Sequence, residues 1–322
     1  MESGVSFKSV FPFSEAGRFY RGNIHCHSNH SDGGNTPEWV INSYKERGYD
    51  FLCLTDHLLP YSFFRKEGEG YIPVIDTREF STDDFLMIPG AETHGPGPME
   101  TGFWHFVAVG LPVDFAHPVD GEDGGTTARR AYEAGAFVAL AHPRGLMVSE
   151  SDVLSVIDHI HAFEVYNHIG QERGGAGEAF QQAEVMTLKG YRRGYMAADD
   201  AHFRENIGLY TGAFGGWVQV RAEELTEQAI VSALKAGSYY SSTGPEIESI
   251  ELDGCRVRVR ASSFSRVVLS GRGSEGAYAE IVEGREITFD APFLEKAPYF
   301  NVTVFDRNGK KAWTNPFFFE GR

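Results

Sequence analysis

The sequence predicts a mixed α/β protein in which strands alternate with helices, followed by a smaller all-β region. In the first two-thirds of the chain, several short apolar segments are separated by segments whose apolar residues have helical spacing. This alternation is typical of parallel α/β architecture. After about Gly244 the helix signals stop and apolar and polar residues alternate, as in residues 255–260. The segments predicted as strands cover residues 23–27, 51–55, 86–91, 103–110, 136–141, 162–166 and 194–198. This pattern fits either a parallel barrel or an open parallel sheet.

Two helices are predicted from the residues at their ends. Thr36 followed by Pro37 is typical of a helix start, and Gly48 of a helix end. Residues 223–236 have apolar side chains at helical spacing, and Gly237 follows as the stop.

The last part of the chain has turn signals typical of antiparallel strands. Asp-Arg-Asn-Gly at residues 306–309 predicts a hairpin turn. We therefore predict an α/β domain over residues 1–244 and a small antiparallel β-sandwich-like domain over residues 245–322.

The charge balance excludes one class of function. The 322 residues include 29 basic and 45 acidic side chains, a formal net charge of −16. A protein that coats nucleic acid needs a basic face, so this class is disfavoured. Three widely spaced cysteines indicate a reducing compartment. We see neither a secretory leader nor an apolar run of about 20 residues, and we expect a cytoplasmic protein without a membrane partner.

The twelve histidines all lie between His25 and His202. His25 and His27 are two apart in a predicted strand, so both side chains face the same side. Two adjacent imidazoles suit a divalent metal ion, although a pair of half-buried histidines is an alternative.

Further metal-competent side chains stand near the ends of the other predicted strands. Taken singly, each could be turn chemistry, packing or a solvated side chain. Together they indicate a site for several metal ions, because parallel strands place their ends at one edge of the sheet. These residues are Asp32, His57, Glu92, His105, His142, Asp200 and His202, with His94 as a competitor of His105.

At this point the sequence resembles the polymerase and histidinol phosphatase (PHP) family of metal-dependent phosphoesterases. The resemblance covers roughly residues 21–244 and rests on the motifs HCHSNHSDG, LTDH, GAE, AHP and DDAH, in that family's order. It implies a distorted (β/α)7 barrel and two or three divalent ions, commonly manganese, iron or zinc.

The resemblance also implies how the ions are held. One ion would be bound by His25, His27, Glu92 and Asp200. A second would share Glu92 and take His105 and His142. A third would lie near Asp32, His57 and His202, or His202 would act as a general acid if only two ions bind.

Other residues are expected to assist. Asp56, next to His57, is expected to support catalysis as a partner of the ligands. Arg144 is a candidate for binding a phosphate through two hydrogen bonds, although a surface arginine without this role is equally possible. Asn167 is a candidate for lining the substrate pocket. Arg65 and Lys66 could reach over the site.

The resemblance implies a hydrolase that releases phosphate from a small phosphorylated metabolite or nucleotide, with hydroxide generated at the ions as the nucleophile. The motif KAWTNP at residues 311–316 resembles the end of a β domain in a stand-alone, carbaryl-hydrolase-like branch of these hydrolases. This leaves amide or carbamate hydrolysis as an alternative, and a non-catalytic metal-binding module as another. The sequence leaves the oligomeric state open.

Overall fold

A computed structural model describes residues 7–64, 70–119, 121–204 and 212–321. Within these ranges the strands are β1 (Lys8–Ser9), β2 (Arg18–Asn23), β3 (Phe51–Leu54), β4 (His57–Leu58), β5 (Leu86–Pro96), β6 (Phe103–Val109), β7 (Phe137–Leu140), β8 (Ala162–Asn167), β9 (Gly194–Ala198), β10 (Trp217–Ala222), β11 (Tyr239–Ser242), β12 (Ile247–Asp253), β13 (Arg256–Ser270), β14 (Gly276–Asp290), β15 (Tyr299–Phe305), β16 (Lys311–Thr314) and β17 (Phe317–Phe318). The helices are α1 (Pro37–Lys45), α2 (Gly124–Glu133), α3 (Glu150–Val156), α4 (His168–Gly174), α5 (Phe180–Leu188) and α6 (Glu227–Ala236). None of the helices in these ranges has the length and apolar character that crossing a bilayer requires.

The α/β region contains a large mixed sheet. Strands β2, β3 and β5 are parallel neighbours, as are β7, β8 and β9. Strand β6, however, runs antiparallel to both β5 and β7. The expectation of an all-parallel sheet is wrong at this point, because only residues 97–102 join β5 to β6. A parallel connection needs a dozen or more residues.

The first predicted strand is displaced along the chain. We predicted it over residues 23–27, whereas β2 ends at Asn23. The following residues continue as an extended segment beside the residues that follow β9. Two backbone hydrogen bonds fix it there: Asp200 N–H donates to His25 O (2.8 Å), and His27 N–H donates to Ala201 O (2.8 Å).

The predicted helix ends are largely found. The Thr36 side chain caps α1, which begins at Pro37 as expected, but the C-cap is Glu46 rather than Gly48. Helix α6 starts at Glu227, later than predicted, and Gly237 ends it in the left-handed conformation, as predicted.

The C-terminal strands pair antiparallel and share a hydrophobic core of their own. The turn at residues 306–309 joins the paired strands β15 and β16, so the predicted hairpin is confirmed. Strand β11 pairs with both β10 and β16. Strands on the two sides of the predicted boundary at residues 244 and 245 are therefore hydrogen-bonded to each other in one sheet. The domain boundary stays a prediction.

Two side chains near the end of the chain enter the α/β region. Trp313 is fully buried in the same cluster as Phe163 and Tyr195, and its indole N–H donates to the carbonyl of Tyr195 (3.1 Å). Asn315 accepts a hydrogen bond from Tyr195 N–H (2.7 Å) and donates to the carbonyls of Gly237 and Tyr239. The KAWTNP motif thus completes the packing of the α/β core.

Candidate metal centre

The structure brings the predicted metal-ligating side chains together. They come from the segment after β2, from β4, β5 and β6, and from the residues that follow β7 and β9. Within the described ranges they form four groups whose ligand atoms all lie within 4.8 Å of one another. The first group is His25, His27, Glu92 and Asp200; the second is Glu92, His105 and His142; the third is His27, Asp32, His57 and His202; the fourth is His57, Glu92 and His94.

The first group is the most buried. Asp200 Oδ1 lies 3.0 Å from His27 Nε2 and 3.3 Å from His25 Nε2. Glu92 Oε2 lies 3.4 Å from His25 Nε2 and 3.5 Å from His27 Nε2. Two carboxylate oxygens and two imidazole nitrogens therefore converge on one small volume.

The second group uses the other oxygen of Glu92. Glu92 Oε1 lies 2.8 Å from His105 Nδ1 and 3.2 Å from His142 Nε2. Oε1 thus faces His105 and His142. Oε2 faces His25 and His27 and also lies 2.8 Å from His57 Nδ1. This is the arrangement that a carboxylate bridging two ions needs, and the residues other than His57 are those that the resemblance assigned to the first two ions.

The third group is centred on Asp32. Its Oδ1 lies 3.2 Å from both His57 Nε2 and His202 Nε2. The His202 Nδ1 is 2.8 Å from the carbonyl oxygen of Asp200, which can only accept. The ring therefore carries its proton on Nδ1 when neutral, which leaves Nε2 free toward Asp32.

His94 belongs to the fourth group and not to the second. Its Nε2 lies 2.7 Å from His57 Nδ1 and 3.7 Å from Glu92 Oε2. His94 and His105 face each other across the β5–β6 pair. The structure therefore places His105 with Glu92 and His142, and His94 with Glu92 and His57. The assignment of His105 as the ligand stays a prediction.

Several polar atoms of the centre are buried without a hydrogen-bond partner in the described structure. Such atoms are costly, since burial removes water without a replacement. Imidazole nitrogens and carboxylate oxygens are ligands for manganese, iron and zinc, so the residues present fit metal ions. The unpartnered atoms include His25 Nε2, His27 Nδ1, Asp32 Oδ1, Glu92 Oε2 and His94 Nδ1.

The electrostatics of the metal-free site favour ionised carboxylates. Burial alone would raise the pKa of Glu92, but the imidazoles around it, led by those of His57 and His94, hold the pKa well below its usual range. Burial is likewise outweighed at Asp200 by His25 and His27, and at Asp32 by the adjacent imidazoles of His202 and His57, so both pKa values are lowered. Three anionic carboxylates are therefore ready to bind cations.

The metal-free site lowers the pKa of some histidines and raises the pKa of others. Burial together with the neighbouring His57 and His202 lowers the pKa of His27 to about 4, so this ring is neutral and able to bind a metal. Burial also acts on His57, but Glu92 and Asp32 outweigh it and raise its pKa to about 10. The metal-free centre therefore holds a proton on His57 that a metal ion would have to displace.

Two of the ligating residues have unusual backbone angles. His142 has a φ of 27° and Asp200 a φ of 56°, both in the left-handed region. Such angles cost free energy for residues other than glycine and are concentrated at functional sites.

Sequence reasoning missed three buried or partly buried residues around the centre. Glu164 is fully buried in β8: its Oε1 lies 2.8 Å from His25 Nδ1, and its Oε2 accepts from His142 N–H (2.7 Å). Asp199 accepts from Tyr44 Oη (2.7 Å) and from three backbone N–H groups, which are those of residues 214, 215 and 216. The third, Arg204, contacts Asp32. Glu164 had a signal, since an acidic residue interrupts a strand that is otherwise apolar, and Asp199 lies in the DDAH motif.

The remaining predicted residues lie outside the four groups. Asp56 accepts hydrogen bonds from the backbone and hydroxyl groups of Ser28 and Ser31, and so orders the loop that leads to Asp32. Asn167 is buried and donates to Glu164 Oε2 (3.0 Å) and Asp200 Oδ2 (3.2 Å).

Of the cations predicted near the substrate, the structure describes only Arg144, which lies outside the four groups. The Arg144 side chain is exposed, and its role stays a prediction. Residues 65 and 66, the Arg65 and Lys66 of the sequence prediction, fall outside the described ranges.

Comparison with solved structures gives the fold. The chain is similar to the crystal structure of a two-domain protein from Bacteroides vulgatus that contains a predicted PHP-like metal-dependent phosphoesterase, with a TM-score of 0.52 and 16% identity, over 97% of this chain and 91% of that one. The resemblance inferred from the sequence is therefore confirmed at the level of the fold. No family model and no curated protein matches the sequence.

Two further structures are similar over a smaller part. One, from Bifidobacterium adolescentis, is provisionally assigned as a metal-dependent phosphoesterase (TM-score 0.40, 13% identity). The other is an amidohydrolase from Chromobacterium violaceum with bound sulfate and no metal (TM-score 0.39, 14% identity). Each match covers 56% of this chain and 87% of the other.

Proposed function

We propose that this protein is a metal-dependent hydrolase that releases phosphate from a small phosphorylated molecule. The observation that carries the proposal is the position of Glu92, whose two oxygens each face a different set of imidazoles. A buried carboxylate in this position suits two neighbouring ions, and paired ions are typical of phosphoester hydrolysis. The proposed scaffold is a distorted (β/α)7 barrel, supported by the bonds that join the segment after β2 to the segment after β9.

The residues of the centre would have two roles, which are to bind the ions and to orient the ligands. The first and second groups would hold two ions of manganese, iron or zinc through Glu92. Ions held there would lower the pKa of water toward about 7 and stabilise negative charge on phosphoryl oxygens. Glu164 fixes the ring of His25 through Nδ1 and the backbone of His142, and so orients one ligand of each group.

His202 is placed to move a proton. Its Nδ1–H is held by the carbonyl of Asp200 (2.8 Å), so the proton available to a substrate would be carried on Nε2. In the proposed step Nε2–H gives this proton to the leaving oxygen as its bond to phosphorus breaks. Asp32 Oδ1, 3.2 Å away, stabilises the protonated ring.

Charge supports a phosphate substrate over a carbamate. Two divalent ions together with Arg204 carry more positive charge than the four carboxylates, which are those of Asp32, Glu92, Asp200 and Glu164, carry negative charge. The occupied centre would be cationic within an acidic protein, which favours a phosphate dianion and gives a neutral carbamate no comparable advantage.

The test is a three-substrate assay of the purified, manganese-loaded protein with p-nitrophenyl phosphate, bis-p-nitrophenyl phosphate and a p-nitrophenyl carbamate. We expect hydrolysis of the monoester, slowed by roughly 100-fold or more in Asp200→Asn, since this removes one charged ligand. The matched control is Asp114→Asn at an exposed aspartate, which should retain full activity.

Each other outcome contradicts part of the proposal. Hydrolysis of the carbamate alone would identify an amide or carbamate hydrolase. Bound metal without turnover of any of the three would favour a non-catalytic module. Failure to bind manganese, iron or zinc would refute the metal centre itself.

A further inference from the structure

Arg204 neutralises the only carboxylate of the third group. It lies two residues after His202, and its Nε donates to the backbone carbonyl of Asp32 (2.6 Å) while Nη2 forms an ion pair with Asp32 Oδ2. The two oxygens of Asp32 are therefore divided. Oδ2 faces the guanidinium, and Oδ1 faces the imidazoles of His57 and His202.

The third group also has few ligands of its own. It shares His27 with the first group and His57 with the fourth. His57 Nδ1 lies 2.8 Å from Glu92 Oε2, and His27 Nε2 lies 3.0 Å from Asp200 Oδ1. An ion in the first group would therefore engage His27, which the third group shares, and His57 reaches the third group through Nε2 alone.

Charge is distributed unevenly between the groups. The first and second groups contain the carboxylates of Glu92 and Asp200. The carboxylate of Glu164 contacts His25 Nδ1, on the side of the ring that faces away from these groups. The third group contains Asp32 alone, offset by the permanently charged guanidinium of Arg204. A third divalent ion would approach a site that already holds a cation.

We propose that Arg204 is the resident cation of the third group, so that the centre binds two ions tightly and a third ion weakly. The inference rests on the proposed function in that it assumes a metal centre at these residues. It also deepens that function, because a weakly occupied third group leaves His202 Nε2 free to carry the proton that the leaving oxygen needs.

The experiment measures manganese stoichiometry and affinity, not activity. Metal-free protein is titrated with Mn²⁺, bound ions are counted by elemental analysis after desalting, and the weak site is measured by isothermal titration calorimetry. We expect two retained ions per chain in the unaltered protein. Arg204→Met should raise the affinity of the third site at least tenfold, whereas Arg204→Lys, which keeps the charge, should behave like the unaltered protein.

Two controls isolate the charge effect. Arg129→Met removes an exposed arginine of α2 outside the four groups and should leave the manganese stoichiometry and affinity unchanged. Adding Asp32→Asn to Arg204→Met should abolish the gained site and leave the first two ions in place. If circular dichroism shows that Arg204→Met does not fold, Arg204→Gln serves instead, because its amide can still donate to Asp32.

The outcomes separate this inference from the proposed function. Three tightly retained ions in the unaltered protein, or no gain in the neutral variants, would overturn the role of Arg204 and leave the two-ion hydrolase intact. Absence of bound ions in every variant would overturn both.

Discussion

Replacing Glu164 with glutamine tests how the buried carboxylate that is hydrogen-bonded to His25 and His142 affects metal binding. The carboxylate makes three contacts, with His25 Nδ1 (2.8 Å), His142 N–H (2.7 Å) and Asn167 Nδ2 (3.0 Å). A glutamine fits the same volume but replaces one oxygen with an NH₂ group. Only one orientation of the amide keeps a hydrogen bond to all three neighbours, and that orientation changes which nitrogen of His25 carries the ring proton.

The consequence differs between the two orientations. If the amide oxygen keeps the bonds from His142 and Asn167, the NH₂ donates to His25 Nδ1 and moves the ring proton to Nε2. That nitrogen faces Glu92 and Asp200, so it could no longer bind a metal. In the reverse orientation the NH₂ meets two other donors inside the protein.

The magnitude follows from these contacts. Loss of a residue that is hydrogen-bonded to a metal ligand weakens metal affinity by about 10- to 100-fold. This corresponds to roughly 1.4–2.7 kcal/mol of binding free energy. A mispaired buried polar group lowers the free energy of unfolding by about 1–3 kcal/mol. We expect the orientation that keeps all three hydrogen bonds, so Glu164→Gln should lose metal affinity. The reverse orientation would instead lower the free energy of unfolding.

Manganese titration calorimetry and urea denaturation of the metal-free protein measure the two quantities. Glu172→Gln, at an exposed glutamate of α4, is the matched control and should change neither. Metal affinity within twofold of the unaltered protein would refute the role assigned to Glu164.

Three further predictions concern residues away from the ions. Trp313→Ala should lower the free energy of unfolding in urea by about 3–5 kcal/mol, because it empties a fully buried indole site; a loss comparable with that of Phe63→Ala, at an exposed phenylalanine, would contradict this. Asp56→Asn should lower the melting temperature of the metal-free protein by several degrees, as a loss of about 1–3 kcal/mol predicts, because Ser28 and Ser31 lose an anionic acceptor; an unchanged melting temperature would count against it. Burial, assisted by Lys235 and Arg193, lowers the pKa of His161 to about 4 from an ordinary value near 6.5. The unfolded chain therefore takes up this proton first, and the stabilisation present above pH 6.5 is lost as the pH falls toward 4, by no more than about 2 kcal/mol after solvent screening. Denaturation curves at several pH values should show this loss in the unaltered protein relative to His161→Gln, and parallel pH profiles of the two would refute it.

The sequence predicted the centre better than the sheet that carries it. The ligands stand at chain positions with strong local signals, such as the apolar run before His142. The antiparallel direction of β6 depends on how short the 97–102 turn is, which strand patterns alone do not encode. The end of β2 at Asn23 depends on pairing with residues that follow β9, far away in the sequence.

The residues that sequence reasoning missed act through distant contacts. Arg204 meets Asp32 only because the segments after β2 and β9 lie side by side. Asp199 likewise accepts from Tyr44 of α1 and from the backbone at residues 214–216. Neither contact leaves a periodic or local pattern, so only the three-dimensional structure reveals them.

The burial of Trp313 in the α/β region, together with the hydrogen bonds of Asn315, has a consequence for synthesis on the ribosome. A nascent chain that has reached only residue 244 lacks the indole that fills the core beside Tyr195, and it lacks the partner of the Tyr195 N–H. The α/β region can complete its packing only after the final strands have emerged.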